Sequence, residues 1–333
     1  MNKSSPTIRE VAARAGVGVA TVSRALNRSG YVKPDTLTRI LKAARDLNYV
    51  PNRTAQAMVR GTTRTIGVIT PDLESSIIMG MVKGINRVAY QHGYMLTIME
   101  SEGSSEWERA IAQTMRGMRI DGLLLFATPG TPTVVREMQS AGIPLVVLDR
   151  LVEGLGVPQV AADHYAGACV ATNLLIDQTG EAPAFIAGPR DVWSAEARLK
   201  GYQEALKANG FDYDPSRVIP GEFGFDEGFH ATKALLTRYP QIHGIFAAND
   251  LSGLGSMKAL EEEGIRCPND VKVVGFDDIL PARLSNPPLT TLHQPAKGIG
   301  ETAMTLLLGL IEGDDCQLGP FLLPAELIRR KSC

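Results

Sequence analysis

The chain has 333 residues, 44% of them hydrophobic and 21% charged, a composition typical of a globular protein with two or three domains. No apolar run reaches the roughly 18 residues that a membrane span needs, and the first ten residues lack the apolar core of a signal peptide, so we expect a cytoplasmic location without membrane contact. Four scattered cysteines without CxxC spacing exclude a disulfide framework and a cysteine zinc site.

The net charge of −2 conceals a basic N-terminal segment. Residues 1–64 contain twelve Lys and Arg residues and three acids, which gives +9, whereas the remaining residues sum to −11. A small basic segment joined to a larger acidic body is typical of a protein that binds a polyanion, although a solvated basic surface has the same composition. Charge alone leaves both interpretations open.

Three short helices are predicted in the basic segment. Thr7 and Glu10 have the spacing of a capping box, so the first helix should begin directly after Thr7, and the Gly-Val-Gly run at 16–18 should end it. A second helix should begin at Val19, and a third should span about 34–47. Two helices joined by a three-residue glycine turn form a helix-turn-helix. The same glycines are not a dinucleotide fingerprint, because they follow a helix and the third glycine is absent.

Residues 7–72 resemble the head, hinge and first core strand of the lactose repressor (LacI/GalR) family, most specifically in the segment AGVGVATVSRALN. The resemblance implies a second helix that enters the major groove of double-stranded operator DNA. The residues that it places at phosphates are Thr7, Gly18 (through its backbone N–H), Thr21, Tyr49 and Asn52. The residues that it places in the major groove are Val19, Ala20, Ser23, Arg24 and Asn27. Gly18 and Lys33 depart from the family pattern, which has Ser or Thr at the first position and Ser at the second.

A short hinge helix is predicted at residues 52–59, after a proline. Eight residues are too few for a helix that is stable alone in water, so we expect it to form only when packed. In the family this helix pairs with that of a dimer mate and inserts an apolar side chain into the central minor groove, and Met58 stands at that position here. Packing of Met58 within the hinge dimer is the alternative. Ala55 and Gln56 would line the same groove.

The remaining residues alternate short apolar runs with longer amphipathic ones. The strand-like runs are TIGVIT, MLTIM, GLLLF, LVVL, AFIA, GIFAA and VKVVGF, and the helix-like runs lie near 79–91, 107–118, 133–141, 164–177, 195–209, 227–237 and 251–263. This alternation predicts parallel sheets covered by helices on both faces, and two such series predict two lobes with a cleft between them.

Polar residues follow several of these strands, at the edge where open parallel sheets bind ligands. They are Asp72, Thr128, Asp149-Arg150, Asn249-Asp250 and Asp277-Asp278. A single Asp or Asn at such a place is usually a helix N-cap, but the joint pattern favours a ligand site.

This body is similar to the periplasmic-binding-protein-like core of the same family, in segments such as IDGLLLF, VVLDR and VVGFDD. By position, the resemblance implies an effector site that contains Asp72, Asp149, Arg198, Asn249, Asp277 and Gln294. Where the family carries Asn-Pro-Phe-Phe, Ser75 and Ile77 stand here, which removes an aromatic wall and the basis for predicting a purine. Trp193 either supplies an aromatic face from the opposite lobe or lies in the core or rim. A guanidinium with carboxylates and an amide suits a ligand with hydroxyls or a carboxylate, so a carbohydrate-derived effector is expected.

The predicted fold class is an all-α helix-turn-helix head plus a two-lobed α/β core, periplasmic-binding-protein-like, with parallel sheets. The predicted domains are the helix-turn-helix at 1–50, the hinge helix at 51–61, and an effector-binding and dimerisation core at 62–333. The N-lobe of that core should comprise about 62–162 and 293–324, and the C-lobe about 163–292 and 325–333.

We therefore expect a homodimeric transcriptional regulator, by resemblance a repressor, that binds a pseudo-palindromic operator and is controlled by a sugar or sugar acid. The chain ends without the leucine-rich tail that joins dimers in the lactose repressor, which favours a dimer. A solute-binding protein of a transport system and a regulator with a nucleoside-type effector are the alternatives. The sequence has no GxSxG, HExxH or phosphate-loop motif, and its five histidines form no ligand-spaced pair, so no catalytic residue, metal or cofactor is predicted.

Overall fold

The computed structural model describes residues 6–27, 30–50, 61–315 and 317–333. The chain divides into two units, Met1–Thr63 and Arg64–Cys333. We call the first unit the head and the second the core, and each is described by itself.

The head contains three helices, α1 (Ile8–Ala15), α2 (Val19–Asn27) and α3 (Pro34–Asp46), and capping interactions set the limits of α1. The predicted capping box is present: the amide of Thr7 donates to the Glu10 carboxylate at 2.6 Å, and the Thr7 hydroxyl accepts from the amide of Glu10. Gly16 ends α1 at a φ of +65°, a left-handed conformation that glycine adopts without strain. Lys33 precedes α3 without a side-chain cap.

One fully buried side chain from each helix forms the centre of the head. These side chains are Val11, Val22 and Ile40, and smaller alanines fill the space around them. Two short helices separated by a glycine turn, with a third packed across them, are a helix-turn-helix. The predicted helix-turn-helix head is confirmed.

The N-lobe of the core is a parallel sheet covered by helices on both faces. Its strands are β1 (Thr65–Thr70), β2 (Met95–Glu100), β3 (Gly122–Phe126), β4 (Leu145–Leu148), β5 (Gln159–Asp163) and β11 (Pro320–Pro324). Its helices are α4 (Ser76–Gln91), α5 (Ser105–Gly117), α6 (Thr131–Ser140) and α12 (Ala296–Glu312). The strand order is β11-β5-β4-β3-β1-β2. Successive strand residues alternate between faces, so Val68 packs with α4 and α12 whereas Ile69 packs with α5 and α6.

The C-lobe repeats this plan. Its strands are β6 (Ala184–Ile186), β7 (Val218–Ile219), β8 (Gly244–Ala247), β9 (Lys272–Asp277), β10 (Thr290–His293) and β12 (Glu326–Ile328). Its helices are α7 (His164–Thr179), α8 (Trp193–Ala208), α9 (Phe225–Arg238), α10 (Asp250–Glu262) and α11 (Leu280–Leu284). The order is β12-β10-β9-β8-β6-β7, and all neighbours are parallel except β12, which pairs antiparallel with β10 at the edge. The predicted two-lobed parallel architecture is confirmed, with this one antiparallel strand added.

Three segments of chain cross between the lobes. The first lies between β5 and α7, at Asp163 and His164, and the second lies between β10 and α12, at Gln294 and Pro295. The third is Ala325, which joins β11 to β12. The residues at these crossings connect the two sheets, so a change in the angle between the lobes would move them.

Close helix packing depends on glycine at the contact between α4 and α12. A Cβ atom on Gly300 would lie 1.9 Å from the carbonyl oxygen of Met81, and one on Gly84 would lie 2.1 Å from that of Lys297. Both glycines therefore let the two backbones approach to a distance that any other residue would prevent.

Several element boundaries differ from the sequence-based expectation. The helix expected near 79–91 begins at Ser76, and the one expected near 107–118 begins at Ser105, because Ser75 and Ser104 accept hydrogen bonds from the first turns and extend them upstream. Helix α12 and strand β5 were not predicted. Three glycines weaken the helical pattern of α12, and alanines weaken the strand pattern of β5.

Candidate effector cleft and DNA-facing helix

A cleft of about 800 Å³ lies between the lobes at the carboxyl ends of both sheets. Its volume is within the range of small-molecule sites, about 300–1,000 Å³. The polar side chains that line it are Asp72, Glu74, Ser75, Ser76, Asp149, Arg150, His164, Ser194, Arg198, Asn249, Asp277 and Gln294. The other lining residues are Pro71, Ile77, Ile78, Val192, Phe223, Leu251, Ile279, Leu280 and Pro281. The cleft therefore combines an apolar surface with convergent charges and amides.

Arg198, on α8, is the buried cation of the cleft. Its guanidinium carbon lies 4.0 Å from the centroid of the Phe276 ring, and one terminal nitrogen donates to the Ala248 carbonyl at 2.5 Å. The other terminal nitrogen lies 3.5 Å from Oδ1 of Asp277. Burial lowers the pKa of Arg198 and the Asp277 carboxylate raises it, and a guanidinium keeps its charge in either case.

Two carboxylates face Arg198 from strained backbone positions. Asp149 follows β4 at a φ of +74°, and Asp277 ends β9 at a φ of +127°. Residues with side chains rarely adopt such conformations, which occur most often at functional sites. Burial raises the pKa of both carboxyls. The charges of Arg150 and then Arg198 oppose the rise at Asp149, and that of Arg198 opposes it at Asp277. Gln294 donates from Nε2 to Asp277 Oδ1 at 2.5 Å and so holds this carboxylate in place.

A third carboxylate, Asp250, lies fully buried behind the cleft wall. It accepts hydrogen bonds from the Thr291 hydroxyl at 2.5 Å and from the amide of Ile279 at 2.9 Å. Burial and then the nearby charge of Asp277 raise the pKa of Asp250. Asp250 thus fixes the loop after β9 from behind, and we assign it a positioning role.

Asn249 acts both as a helix cap and as a lining residue. Its Oδ1 accepts from the amide of Ser252 at 3.0 Å and so caps α10, while its Nδ2 donates to the Phe223 carbonyl at 2.7 Å. Both polar atoms are therefore occupied, and the capping interpretation of this residue accounts for its hydrogen bonds. The link to Phe223 orients that aromatic residue at the cleft.

The predicted residues after β1 line the N-lobe wall. Asp72 is exposed and accepts from the amides of Glu74 and Ser75, at 2.6 and 3.2 Å, and the Ser75 hydroxyl caps α4. Ile77 also lines the cleft. This wall is therefore aliphatic and polar, as the missing aromatic pair in the sequence implies.

On the head, α2 presents its predicted DNA-facing residues to solvent on one side. Val19, Ala20 and Arg24 are exposed, while Val22 and Ala25 face the small core. Thr21, Ser23 and Asn27 are half-buried, and Asn27 donates to the Ser23 hydroxyl at 3.2 Å. The Gly18 carbonyl accepts from the amides of Thr21 and Val22, so Gly18 occupies the position directly before α2. Small side chains beside an exposed arginine form a surface that fits a DNA groove.

Comparison with known proteins identifies the family to which this combination of head and core belongs. Residues 7–52 match the model of bacterial regulatory proteins of the lacI family, and residues 172–333 match that of a periplasmic binding protein-like domain. The transcriptional regulator CelR of Thermobifida fusca is 35% identical over 337 residues, which cover 98% of this chain and 98% of that protein.

The chain belongs to the lacI family of bacterial regulatory proteins.

Solved structures agree with this assignment. The lac repressor dimer bound to operator and an anti-inducer aligns with this lacI-family regulator at a TM-score of 0.88 and 29% identity, covering 98% of both chains. The complex of the transcriptional regulator CelR with cellobiose aligns at a TM-score of 0.75 and 33% identity, covering 98% of this chain and all of the other. The regulator is therefore a DNA-binding transcription regulator with a periplasmic-binding-protein-like core.

Two expectations about the lacI-family cleft need a correction or a refinement. Thr128 does not line the cleft: it is buried, and its hydroxyl donates to Glu108, because Glu108 on α5 occupies the space behind β3. Trp193 is also not among the lining side chains; its ring packs edge-on against His164, with 5.4 Å between centroids. Phe223 lines the cleft in its place.

Sequence reasoning missed His164 and Phe223 in this regulator. His164 follows β5 directly, which is the position that identified the other polar residues, but β5 itself was not recognised. Phe223 lies in a loop after a two-residue strand, where no pattern indicates a site. Within the described part of the chain, no helix is long and apolar enough to span a membrane and no group of His, Cys, Asp and Glu is placed to hold a metal.

Four predicted DNA contacts lie outside the described residues, in 51–60. They are Asn52, Ala55, Gln56 and Met58. The remaining head predictions are Thr7, which is exposed at the start of α1, and Tyr49, which packs against the small core with its ring half-buried.

Proposed function

We propose that this regulator is a homodimeric repressor whose α2 helix reads a pseudo-palindromic operator under the control of a small molecule in the cleft. The exposed face of α2, on a head of net charge +8, is the observation that carries the proposal. Under it, residues 1–50 bind DNA, residues 51–61 form the hinge helix, and residues 62–333 bind the effector and the second subunit. The N-lobe comprises about 62–162 and 293–324, and the C-lobe about 163–292 and 325–333.

The proposed roles of the head residues in DNA binding follow from the chemistry of their side chains. Arg24 carries the group that pairs best with guanine, and Val19 and Ala20 are small enough to let α2 approach base edges. Thr7, Thr21, Tyr49 and the amide of Gly18 bind phosphates, which sets the register without reading sequence. Ser23 and Asn27 complete the base-facing set.

The hinge contributes the minor-groove part of the interface. Asn52, Ala55 and Gln56 line the groove, and Met58 enters a central base step as an apolar wedge. Unstacking one step costs about a few kcal/mol, which the contacts of the bent DNA offset.

A carbohydrate-derived effector is supported by the chemistry of the cleft and by a relative. Arg198, Asp149, Asp277 and Gln294 supply charges and amides for hydroxyl groups, and Phe223 supplies a ring face. The CelR complex with cellobiose has the same fold at 33% identity. Asp72, Ser75 and Ile77 on the N-lobe wall, together with Asn249, complete the proposed site; Trp193 acts through His164.

Control of DNA binding follows from the three crossings between the lobes. A ligand that contacts both lobes favours one angle between them, and it shifts operator affinity only by the difference in its affinity for the two arrangements. We propose that the protein binds and releases the sugar without converting it chemically. A regulator of this kind works in the cytoplasm, where its DNA lies.

The dimer surface is proposed on exposed apolar side chains of the core. Leu284 on α11 is 74% exposed, Tyr90 on α4 is 81% exposed, and Met95 on the edge strand β2 is 51% exposed. Exposed apolar patches and open sheet edges are covered in stable proteins, and a second copy provides that cover on a two-fold axis. Leu284→Asp should therefore give a monomer in light scattering, whereas Leu318→Asp, at an exposed leucine elsewhere, should leave the dimer intact.

Selection from a randomised duplex library tests the whole proposal. The full-length protein should enrich a two-fold symmetric sequence, and binding to it should weaken by about 10³–10⁵ between 50 and 200 mM salt if six to ten phosphates are neutralised. Enrichment of no sequence, or a flat salt dependence, would refute the proposed operator binding.

A further inference from the structure

Two of the three lobe crossings carry a buried polar atom that lacks a partner. His164 is the first residue after the crossing from β5, and Gln294 is the first residue after β10; the two side chains are 1% and 4% exposed. Among the described residues, four buried side-chain atoms lack a hydrogen-bond partner: Thr172 Oγ1, His164 Nε2, Gln294 Oε1 and Arg198 Nε. Thr172 does not line the cleft, whereas the other three side chains do.

Hydrogen-bond geometry fixes the role of each atom. A terminal nitrogen of Arg198 lies 3.2 Å from His164 Nδ1, and a guanidinium can only donate, so Nδ1 accepts and the proton resides on Nε2. Burial and the Arg198 charge lower the pKa of His164 well below its ordinary value, which keeps the ring neutral. His164 Nε2 is therefore a free donor.

Gln294 presents the complementary group. Its Nε2 donates to the Asp277 carboxylate at 2.5 Å, so Oε1 is left as a free acceptor. Buried donors and acceptors without partners destabilise the folded protein, and a ligand that supplies the partners recovers this free energy on binding. A hydroxyl both donates and accepts, so hydroxyl groups satisfy the donors on His164 and Arg198 and the acceptor on Gln294.

The charge of the cleft selects against anions. Its lining includes four carboxylates and two guanidinium groups, and the carboxylates are those of Asp72, Glu74, Asp149 and Asp277. Both terminal nitrogens of Arg198 are engaged with Ala248, His164 and Asp277, so no fork remains for a bidentate carboxylate or phosphate. An acid placed beside Arg198 would meet the carboxylates of Asp149 and Asp277, and Arg150 is the other guanidinium of the lining.

We propose that the effector is an uncharged polyhydroxylated molecule whose hydroxyls bridge His164 Nε2 and Gln294 Oε1, joining two of the lobe crossings. This inference rests on the proposed effector function of the cleft. It predicts that a neutral sugar binds more tightly than the corresponding sugar acid, a choice that the sequence left open. It also assigns His164 as the ligand contact at the first crossing.

Thermal shift with matched pairs of ligands tests the charge of the effector. The full-length protein is heated with cellobiose, glucose or ribose, and in parallel with the aldonic acid of each sugar. At least one neutral sugar should raise the melting temperature, since a ligand that binds only the folded state stabilises it, and its acid should bind at least tenfold more weakly. An acid that stabilises as much as its parent sugar, or a folded protein that responds to none of the sugars, overturns the inference.

Two substitutions at one position test the contact. The amide of Asn overlays histidine Nδ1, whereas that of Gln overlays Nε2, so His164→Asn keeps the acceptor for Arg198 and loses the free donor, and His164→Gln keeps the donor. His164→Asn should weaken the sugar about tenfold, and His164→Gln should bind within a few-fold of the native protein. His243→Asn, at an exposed histidine paired with Glu181, is the matched control and should change nothing. Equal affinity of the Asn and Gln variants contradicts the assignment.

Tryptophan fluorescence tests the same contact between His164 and the sugar in the absence of DNA. The chain has two tryptophans, and Trp193 packs on His164 while Trp107 is exposed on α5. In a Trp107→Phe background, the neutral sugar should change the emission of Trp193, and His164→Asn should reduce that change in parallel with affinity. Operator affinity of the ligand-free variants is measured on the same preparations. Absence of operator binding by the native protein, measured alongside them, would refute the DNA-binding proposal, whereas operator binding with no sugar response would refute only this inference.

Discussion

The guanidinium of Arg198 stacks on the ring of Phe276, with 4.0 Å between the guanidinium carbon and the ring centroid. A desolvated contact of this kind contributes about 2 kcal/mol. The same cation faces Asp277, whose carboxylate is buried with it. One side chain therefore links the aromatic core of the C-lobe to the charges of the cleft.

Arg198→Met should destabilise the core by about 3–5 kcal/mol, because it leaves Asp277 buried without its counter-ion and removes one of the two guanidinium charges that act on Asp149. The loss should be larger at pH 8 than at pH 5, since the carboxylates are neutralised by protons at the lower pH. Thermal melts at both pH values measure this. Lys200→Met, on the exposed side of the same helix, is the control. Equal destabilisation at both pH values would contradict the assigned charge contact.

Arg24→Ala should reduce discrimination between the selected operator and random DNA by about tenfold or more, since a good contact from arginine to guanine contributes about 1–3 kcal/mol. Anisotropy titrations with both duplexes give the ratio. Arg39→Ala, an exposed arginine on α3, should lower both affinities together or leave them unchanged. An unchanged ratio of operator affinity to random-DNA affinity in the Arg24→Ala variant would show that Arg24 does not take part in base recognition.

Asp250→Asn should flatten the pH dependence of stability. Burial and the Asp277 charge raise the pKa of Asp250 in the folded protein, so this group's contribution is full below its unfolded pKa near 4 and is lost as pH rises through the folded value. The native melting temperature should fall between pH 5 and pH 8, and the variant should fall by about 3 °C less. Asp212→Asn, at an exposed aspartate, should match the native slope. A steeper fall in the Asp250 variant would reverse the sign and refute the argument.

Gly300→Ala should destabilise the N-lobe by about 1–3 kcal/mol, because the new methyl group would press on the backbone of Met81. Urea unfolding followed by circular dichroism measures the change. Gly117→Ala, at the end of α5 where a Cβ meets no atom within 4 Å, should be neutral or stabilising. Similar stability of the two variants would show that the helices can move apart.

The sequence alone predicts what short-range physics controls. Thr7 and Glu10 identify the start of α1 because a capping box is local, and the two series of strands follow from hydrophobic alternation. The close approach of Gly300 to Met81 could not be predicted from the sequence, because the two residues lie on helices that are more than two hundred residues apart in the chain. Thr128 was misassigned for the same reason: its partner Glu108 becomes visible only in three dimensions. His164 lacked ligand spacing along the chain, although its place after a strand was a usable signal.

The edge strands β11 and β12 lie within the last fourteen residues of the chain, and each completes a different sheet. Neither lobe is thus a continuous stretch that a single cut could excise, and during synthesis the last strand of the N-lobe sheet ends at Pro324 and that of the C-lobe sheet at Ile328. A nascent or prematurely terminated product would carry all the residues of the head while its sheets were unfinished. Loss of these C-terminal residues would therefore remove an edge strand from both sheets at once, while every residue of the head remained.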